Sequence, residues 1–225
     1  KYSKPIRRQE TNIGGRRLKG YFLALEGPDG SGKSTIARLL EKELEEKYKT
    51  QTVLTREPGG TEIGEDIRSI LLSTANMEMG NRTEALLYAA SRAQHVEEKI
   101  LPLVEAGKLV ISDRYIFSSL AYQGYSRRLG IDEVMDINIF ATNGFYPDRI
   151  IFFDLDPNLG LKRKFAQKEG DRLEIAGDDF HKNVYEGYKE AIKKYPKNVK
   201  TIDASKPVEE VFKSCLEIIK EDLKI

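Results

Sequence analysis

The sequence has few of the residues that build disulfide frameworks, metal clusters or acid–base triads. Its 225 residues include one cysteine, two histidines and no tryptophan. The lone Cys215 excludes an internal disulfide, and its position in an apolar helical pattern predicts a place in the core. We interpret His95 and His181 as structural, because neither belongs to a Ser-His-Asp or Cys-His constellation.

Long hydrophobic runs are also missing. No apolar stretch approaches the roughly 20 residues that span a bilayer, and no secretory signal is visible. These features favour a cytoplasmic protein without membrane partners. Hydrophobic residues make up 40% of the chain, which is enough for a core, and the length fits one domain.

The net charge of +1 conceals an uneven distribution. Residues 1–20 hold seven basic residues and one acid, whereas residues 21–225 hold 30 basic and 35 acidic residues. An acidic body argues against nucleic acid as the main partner. Residues 1–20 lack hydrophobic periodicity and contain three glycines, which indicates a flexible basic extension or an engineered remnant. A transit segment and a basic interaction arm are the alternatives.

Five short apolar runs alternate with helical patterns from Tyr21 onward. Continuous apolar runs are typical of parallel strands buried on both faces, so the sequence predicts an α/β fold with helices on each side of a sheet. In such folds ligands bind beyond the carboxyl ends of the strands. The predicted strands are residues 21–26, 52–55, 109–112, 149–155 and 199–204.

Some helix starts can be predicted as well. Asn81, with Glu84 three residues later, predicts a capping box at the start of one helix. Asp156 and Pro157 predict a cap and a first-turn proline for another.

The first strand leads into a glycine-rich segment that matches the phosphate-binding pattern G-x-x-x-x-G-K-[ST]. Glycines let the backbone turn tightly so that its N–H groups point at phosphate oxygens, and the next helix adds its N-terminal donors. Lys33 supplies positive charge for the β- and γ-phosphates, and Ser34 can offer its hydroxyl to Mg²⁺. The nucleotide-binding residues predicted from this P-loop are Gly27, Pro28, Asp29, Gly30, Ser31, Gly32, Lys33, Ser34 and Thr35.

Asp113 follows the third predicted strand, where P-loop proteins carry a carboxylate that anchors magnesium. Mg²⁺ prefers few carboxylates together with waters and phosphate oxygens. We therefore predict that Ser34 and Asp113 hold the metal, directly or through water. A strand-end cap, or a salt bridge to Arg114, is the alternative reading of Asp113.

Four further residues indicate an acceptor site. Arg56 and Arg114 follow the second and third strands, and two converging guanidinium groups can clamp a phosphate. Tyr88 and Arg92 lie four residues apart on one helical face, which suits a base that needs stacking and a donor. Salt bridges for the arginines and a core position for the tyrosine are the alternatives.

Four motifs in the chain together resemble one family of kinases. They are GPDGSGKST, TREPGGTEIG, LLYAASRAQH and DRYIFSSLAYQG, and they occur in that order. Over residues 21–223 the chain is similar to the thymidylate kinase (dTMP kinase) family. The resemblance implies a nucleoside monophosphate kinase-like three-layer fold with a five-stranded parallel sheet. It also implies ATP as phosphoryl donor, dTMP as acceptor, Mg²⁺ and a homodimer, with dTDP made for dTTP synthesis.

The resemblance assigns roles at the phosphate and sugar end of the acceptor. Arg56 and Arg114 would hold the dTMP phosphate. Asp29 would approach the sugar 3′-hydroxyl or the phosphate region. Tyr122 would crowd the 2′ position and disfavour ribonucleotides.

At the base end, the resemblance implies that Tyr88 stacks on thymine, in a position where the family usually carries phenylalanine. Arg92 would donate to the O4 edge of the base. Ser119 and Gln123 would lie near the base.

The family closes a lid over ATP, and here the lid would span about residues 160–175. Because Gly30 occupies a P-loop position where some members carry a basic residue, the chain resembles the bacterial design that places catalytic arginines in the lid. Arg163 is the first candidate for the catalytic cation, with Lys168 and Arg172 behind it.

The implied reaction needs no general base, because the attacking phosphate oxygen is already ionised near neutral pH. Catalysis would come from positioning and from charge stabilisation by Lys33, Arg114 and Arg163. Another deoxynucleotide or nucleoside kinase is the main alternative, since one methyl group distinguishes dTMP from dUMP. A P-loop NTPase switch and a non-catalytic nucleotide-binding paralogue are the others.

Overall fold

The computed structural model describes residues 12–13, 16–17, 20–165, 172–173 and 178–225. Most of the predicted extension and part of the predicted lid, including Lys168, lie outside the described residues. Near the N-terminus, β1 (Asn12–Ile13) pairs antiparallel with β2 (Arg16–Arg17).

A central sheet of parallel strands forms from the five apolar runs, as the sequence predicts. Its strands are β3 (Tyr21–Glu26), β4 (Thr52–Arg56), β5 (Leu109–Asp113), β6 (Arg149–Asp154) and β7 (Val199–Asp203). They lie side by side in the order β4-β5-β3-β6-β7, and every neighbouring pair is parallel. The predicted α/β fold class with a five-stranded parallel sheet is therefore confirmed.

Helices connect the strands and cover both faces of the sheet. Two π-helical stretches, Val96–Ile100 and Leu120–Ser126, continue α3 and α5 respectively. The α-helices of the described residues are α1 (Lys33–Tyr48), α2 (Glu62–Leu72), α3 (Asn81–His95), α4 (Leu101–Glu105), α5 (Ile116–Ser119), α6 (Ile131–Thr142), α7 (Pro157–Phe165), α8 (Asp178–Lys194) and α9 (Val208–Leu223).

Each face of the sheet has its own apolar core, because alternate residues of a strand point to opposite sides. Phe22 of β3 packs into the cluster that includes residues of α5 and α8. Leu23, the next residue, packs into the cluster beneath α1 and α9. Cys215 lies fully buried in that second cluster, and burial raises the pKa of its thiol to about 12. The predicted core position of Cys215 is confirmed.

One of the two predicted helix starts is confirmed, and the other is wrong. Asp156 accepts a hydrogen bond from the Asn158 backbone N–H at 2.8 Å, and Pro157 opens α7 as predicted. The capping box at Asn81 is wrong, because α3 is capped by Gly80 without a side-chain hydrogen bond. Its intended partner Glu84 is fully buried and is engaged instead with side chains from elsewhere in the chain.

The register of the sheet brings three ligand-side segments to one edge. Leu25 near the end of β3 and Arg56 at the end of β4 both lie level with Asp113 of β5. The P-loop after β3, the Arg56 loop and the Asp113-Arg114 turn therefore meet. No helix in the described part of the chain is long and apolar enough to cross a membrane.

Candidate active site

The P-loop turns from β3 into α1, and its geometry depends on glycine. Gly30 and Gly32 have φ values of 74° and 88°, in the left-handed region where a residue with a side chain would be strained. Lys33 Nζ folds back over the loop and donates to the Gly27 carbonyl oxygen at 3.0 Å. Burial, together with the nearby charge of Arg114, lowers the pKa of Lys33 to about 8. A bound phosphate would supply the counter-charge that this buried ammonium group needs.

Gly30 also meets the start of the predicted lid. A Cβ atom at Gly30 would lie 2.1 Å from the carbonyl oxygen of Gly160, and one at Gly160 would lie 2.3 Å from that of Asp29. The P-loop and α7 thus pack backbone against backbone. A basic side chain at position 30 has no room in this arrangement, which supplies a physical reason for glycine there.

The two predicted metal ligands are in direct contact, since Ser34 Oγ donates to Asp113 Oδ2. Among the described residues, no group of three or more histidine, cysteine, aspartate or glutamate residues could hold a metal ion. One carboxylate beside one hydroxyl nevertheless fits Mg²⁺, which keeps several waters and takes further oxygens from nucleotide phosphates. The donor set therefore suits a magnesium–nucleotide complex better than a metal held by protein alone.

A cleft opens at the P-loop, and we call it the donor cleft. Arg163 of α7 lines it, and its Nη1 donates to the Ala204 carbonyl oxygen at 3.2 Å. Arg38, one turn beyond Ser34 on α1, also lines the cleft. It was not predicted from the sequence, although its helical spacing from Ser34 was a usable signal. The lining residues are Asp29, Gly30, Gly32, Lys33, Ser34, Thr35, Arg38, Asp113, Arg114 and Arg163.

Three predicted P-loop residues do not line the donor cleft but position one that does. Gly27, Pro28 and Ser31 each accept a hydrogen bond from Lys33 Nζ, at 2.9 to 3.2 Å. Their contribution to the site is the position of the lysine, since all three acceptors hold its ammonium group within the loop.

A second cavity, the acceptor pocket, lies on the other side of Asp29 and Arg114. Seven of the eight predicted acceptor residues line it. The lining residues are Asp29, Glu57, Pro58, Arg68, Leu72, Tyr88, Arg92, Arg114, Ser118, Ser119, Tyr122, Gln123 and Leu173.

Arg56 is the predicted acceptor residue that does not line the pocket. Its guanidinium makes a two-pronged ion pair with Glu65 of α2, at 2.7 and 2.9 Å. Burial raises the pKa of the Glu65 carboxyl, but the hydrogen bonds from Arg56 and from the Gly60 N–H outweigh this and bring it below its ordinary value. In this structure Arg56 is therefore held at the rim by a charged partner that a bound phosphate would have to displace or share.

Arg114 links the two cavities, because it lines both, as does Asp29. The two side chains form an ion pair. Arg114 Nη1 also donates to Ser118 Oγ at 3.0 Å and to the Tyr188 hydroxyl at 2.8 Å. Its Cζ atom lies 5.4 Å from the ring centre of Tyr122. The arginine is thus fixed at the boundary where a donor and an acceptor phosphate would meet.

Arg92 is buried at the base of the acceptor pocket and is almost fully hydrogen-bonded. Its Nε donates to Glu57 Oε2 at 2.6 Å, and its Nη1 donates to Ser119 Oγ at 3.0 Å and to Asn138 Oδ1. Its Nη2 donates to the Tyr115 carbonyl oxygen at 2.9 Å. Since a guanidinium has five N–H donors, these bonds to described residues leave one for a ligand.

Gln123 belongs to a buried cluster around Glu84. Its Nε2 donates to Glu84 Oε1 at 2.9 Å, and Arg172 lies 2.7 Å from the other carboxylate oxygen. Arg172 Nε also donates to the Leu71 carbonyl oxygen at 2.7 Å. Arg172 was a secondary candidate for the catalytic cation, but it does not line the donor cleft, because a buried acid on α3 binds it instead.

Glu26 is a further residue of the site that was not predicted from the sequence. Its carboxylate accepts hydrogen bonds from Ser118 Oγ at 2.6 Å and from the Tyr115 N–H at 2.8 Å. Burial raises its pKa above the ordinary value despite these bonds. Arg114 donates to Ser118 in turn, so Glu26 helps to position the arginine that the two cavities share. An acid at the end of a buried strand was the available signal.

Arg68 of α2 was also missed. It lines the acceptor pocket and donates to the Pro58 carbonyl oxygen at 2.9 Å. Its signal in the sequence is weak, because an arginine on an amphipathic helix is normally a solvated residue.

Comparison with known proteins agrees with this geometry. The family model described as "Thymidylate kinase" matches residues 25–215. The chain is 54% identical over 200 residues to the thymidylate kinase of Finegoldia magna, which covers 88% of this chain and 97% of the relative. It is 52% identical over 196 residues to that of Clostridium novyi, covering 86% of this chain and 95% of the relative.

A solved structure of similar shape comes from the same group of proteins. The crystal structure of thymidylate kinase from Ehrlichia chaffeensis has a TM-score of 0.73 to this chain at 28% sequence identity. The match covers 89% of this chain and 98% of the other. Fold, site geometry and similarity agree, and the chain belongs to the thymidylate kinase family.

Proposed function

We propose that this chain transfers the γ-phosphate of ATP to dTMP and releases ADP and dTDP, a step toward dTTP. One observation carries the proposal: the donor cleft and the acceptor pocket share Asp29 and Arg114. A nucleotide in each cavity would bring a terminal phosphate of one toward the phosphate of the other at Arg114. An NTPase switch has no need of the second cavity.

At the donor cleft, the P-loop N–H groups and Lys33 would bind the β- and γ-phosphates of ATP. Ser34 and Asp113 would hold the Mg²⁺ of the nucleotide complex. When bound, the metal would neutralise charge on the phosphate oxygens. Arg163, which lines the same cleft, is the proposed lid cation.

At the acceptor pocket, Arg56 and Arg114 would hold the dTMP phosphate, with Asp29 close to the sugar. Tyr122 packs beside Arg114, where it would restrict the 2′ position. This end of the pocket would orient the acceptor oxygen for in-line attack.

The base end of the pocket would recognise thymine. Tyr88 would stack on the ring and the remaining N–H of Arg92 would donate to O4. Ser119 and Gln123 line the same region, where Ser119 Oγ accepts a hydrogen bond from Arg92 and Gln123 Nε2 donates one to Glu84. Both residues would lie near the base.

The chemistry requires no general base from the protein. The attacking oxygen of dTMP is ionised near neutral pH, so its proton need not be removed. Lys33, Arg114 and Arg163 would stabilise the negative charge that the transferring phosphoryl group shares with its neighbours in the transition state. The residues of the proposed lid, about 160–175, would exclude water and so limit ATP hydrolysis.

We further propose a single kinase domain over residues 21–225 that acts as a cytoplasmic homodimer. Large apolar side chains are exposed on α2, α3 and α6, and α3 packs against each of the other two helices. Phe140 is 90% exposed and Leu86 is 57% exposed. Ile63 and Ile70, seven residues apart on α2, add to the same group. A second copy of the chain would remove these side chains from water.

The test is a coupled assay of ADP release with Mg-ATP and a panel of acceptors: dTMP, dUMP, dGMP, thymidine and none. Turnover that depends on dTMP and greatly exceeds that with the other acceptors supports the proposal. Turnover with thymidine would require a base for its hydroxyl and would indicate a nucleoside kinase. Turnover without any acceptor would favour an NTPase.

A further inference from the structure

A buried chain of hydrogen bonds runs from β4 to the acceptor pocket through a histidine. Thr55 Oγ1 lies 2.6 Å from His95 Nε2, and His95 Nδ1 lies 3.0 Å from Glu57 Oε1. The second oxygen of Glu57 accepts from Arg92 Nε at 2.6 Å. His95 is completely buried, and Glu57 and Arg92 are nearly so.

The chemistry of these partners selects one tautomer of His95. A carboxylate only accepts hydrogen bonds, so Nδ1, the nitrogen that faces Glu57, must carry a proton. In the neutral ring Nε2 is then an acceptor, and the Thr55 hydroxyl can donate to it. Each oxygen of Glu57 then has a donor, one from His95 and one from Arg92.

The ring also has little freedom to move. A Cβ atom at Gly60 would lie 2.6 Å from His95 Nε2, so the loop after β4 packs directly on the imidazole. Gly60 has a φ of 87° and is in turn bonded to Glu65 through its N–H at 2.7 Å. The histidine is therefore wedged between the loop and the carboxylate that it orients.

We infer that His95 is a positioning residue for recognition of the acceptor. It fixes the Glu57 carboxylate, which fixes Nε of Arg92 and thereby aims the remaining N–H of that guanidinium into the acceptor pocket. The Glu57 side chain belongs to this network, whereas its backbone N–H donates to the carbonyl oxygen of Asp113, a residue of the donor cleft, at 3.0 Å. This inference rests on the proposed function, because it takes the ligand to be a nucleotide whose base carries an acceptor oxygen.

Two substitutions at position 95 separate this role from a purely structural one. His95→Asn places an amide nitrogen close to the site of Nδ1 and keeps a donor for Glu57. His95→Gln places its amide near Nε2, so it keeps the contact with Thr55 and loses the donor for Glu57. A residue that only ties β4 to α3 would tolerate glutamine at least as well as asparagine.

The expected result is a difference in KM for dTMP. We expect His95→Gln to raise it roughly tenfold, because a hydrogen bond to a charged group is lost, and His95→Asn to raise it about threefold or less. KM for ATP stays at the wild-type value in both variants. Equal values of KM for dTMP, or a milder effect of glutamine, would overturn the inference.

Nuclear magnetic resonance of the wild-type chain tests the same point without any variant at this position. The chain has two histidines, so ¹⁵N labelling of histidine gives two ring systems, and His181→Gln identifies the other one. A ring whose Nδ1 carries a proton supports the inference, and a neutral ring whose single proton is on Nε2 overturns it. Absence of dTMP turnover in the wild type would contradict the proposed function instead, and the tautomer would still decide the orientation of Glu57.

Discussion

The donor cleft and the acceptor pocket are built in different ways. Consecutive residues of the P-loop form the donor cleft, largely through backbone groups at one strand end. Side chains from α2, α3 and the segments after β4 and β5 form the acceptor pocket, and many of them already bind each other. The donor cleft holds an ammonium group whose charge is disfavoured by burial, whereas the acceptor pocket holds its arginine in a neutralised network.

This difference predicts how each cavity would respond to the loss of its charged side chain. The charge of Lys33 is unfavourable in the empty protein and useful when phosphate arrives. The charge of Arg92 is balanced by Glu57 before any ligand binds. Loss of Lys33 should therefore impair catalysis without destabilising the fold, and loss of Arg92 should impair both dTMP binding and folding.

The largest effect is expected for Lys33→Met. Turnover should fall about 10³-fold or more, because the phosphoryl group loses a cation in its transition state. The free energy of unfolding of the empty protein should rise by about 1–2 kcal/mol, since a buried charge disappears. Steady-state kinetics and urea unfolding measure the two quantities. Lys47→Met, at the exposed far end of α1, is the control, and a destabilised Lys33→Met would contradict the comparison.

The second effect is expected for Arg92→Met. KM for dTMP should rise roughly 100-fold, and the free energy of unfolding should fall by about 3–5 kcal/mol, because Glu57 is left buried without its partner. Adding Glu57→Gln should restore part of the stability and none of the dTMP binding. Calorimetric titration with dTMP and urea unfolding provide the measurements. Arg82→Met on the exposed face of α3 is the matched control, and equal losses there would refute the argument.

A smaller effect is expected from pH. Lys33 has a pKa of about 8 in the folded chain against an ordinary value of 10.5, so ATP binding above pH 8 requires uptake of a proton. KM for ATP should rise roughly tenfold between pH 7 and pH 9, while KM for dTMP changes much less.

The lowered pKa of Lys33 weakens ATP binding at high pH, but it has the opposite effect on the stability of the empty protein. Between pH 8 and pH 10.5 the unfolded chain binds the Lys33 proton and the folded chain does not. The contribution of this group to the free energy of unfolding therefore rises with pH across that window. Lys33→Met should lack both pH dependences, and their persistence in that variant would assign them to another group.

The smallest effect is expected for Glu65→Gln. The amide keeps an acceptor for the Gly60 N–H but weakens the exposed ion pair that holds Arg56. KM for dTMP should fall about two- to threefold, in line with the small value of exposed ion pairs, and the difference should shrink at high salt. A rise in KM would show that Glu65 orients Arg56 for the phosphate rather than competing with it.

Sequence patterns were reliable where the physical cause is local. The five strands were predicted to within one residue at each end, because continuous apolar runs have one stable environment in an α/β fold. The start of α7 at Pro157 followed from a proline and its preceding acid. The capping box at Asn81 failed because Glu84 finds stronger partners in Gln123 and Arg172 than the helix end offers.

The sequence by itself determined the sheet, the P-loop and the pairing of Ser34 with Asp113, because each depends on consecutive residues or on strand ends that a parallel sheet must align. Only the tertiary structure decided the partners of the charged side chains. Arg56 is held by Glu65, and His95 orients Glu57. A buried or half-buried charge takes whichever partner the fold brings within hydrogen-bonding distance. In the acceptor pocket those partners include residues 85 positions apart along the chain, Asp29 and Arg114.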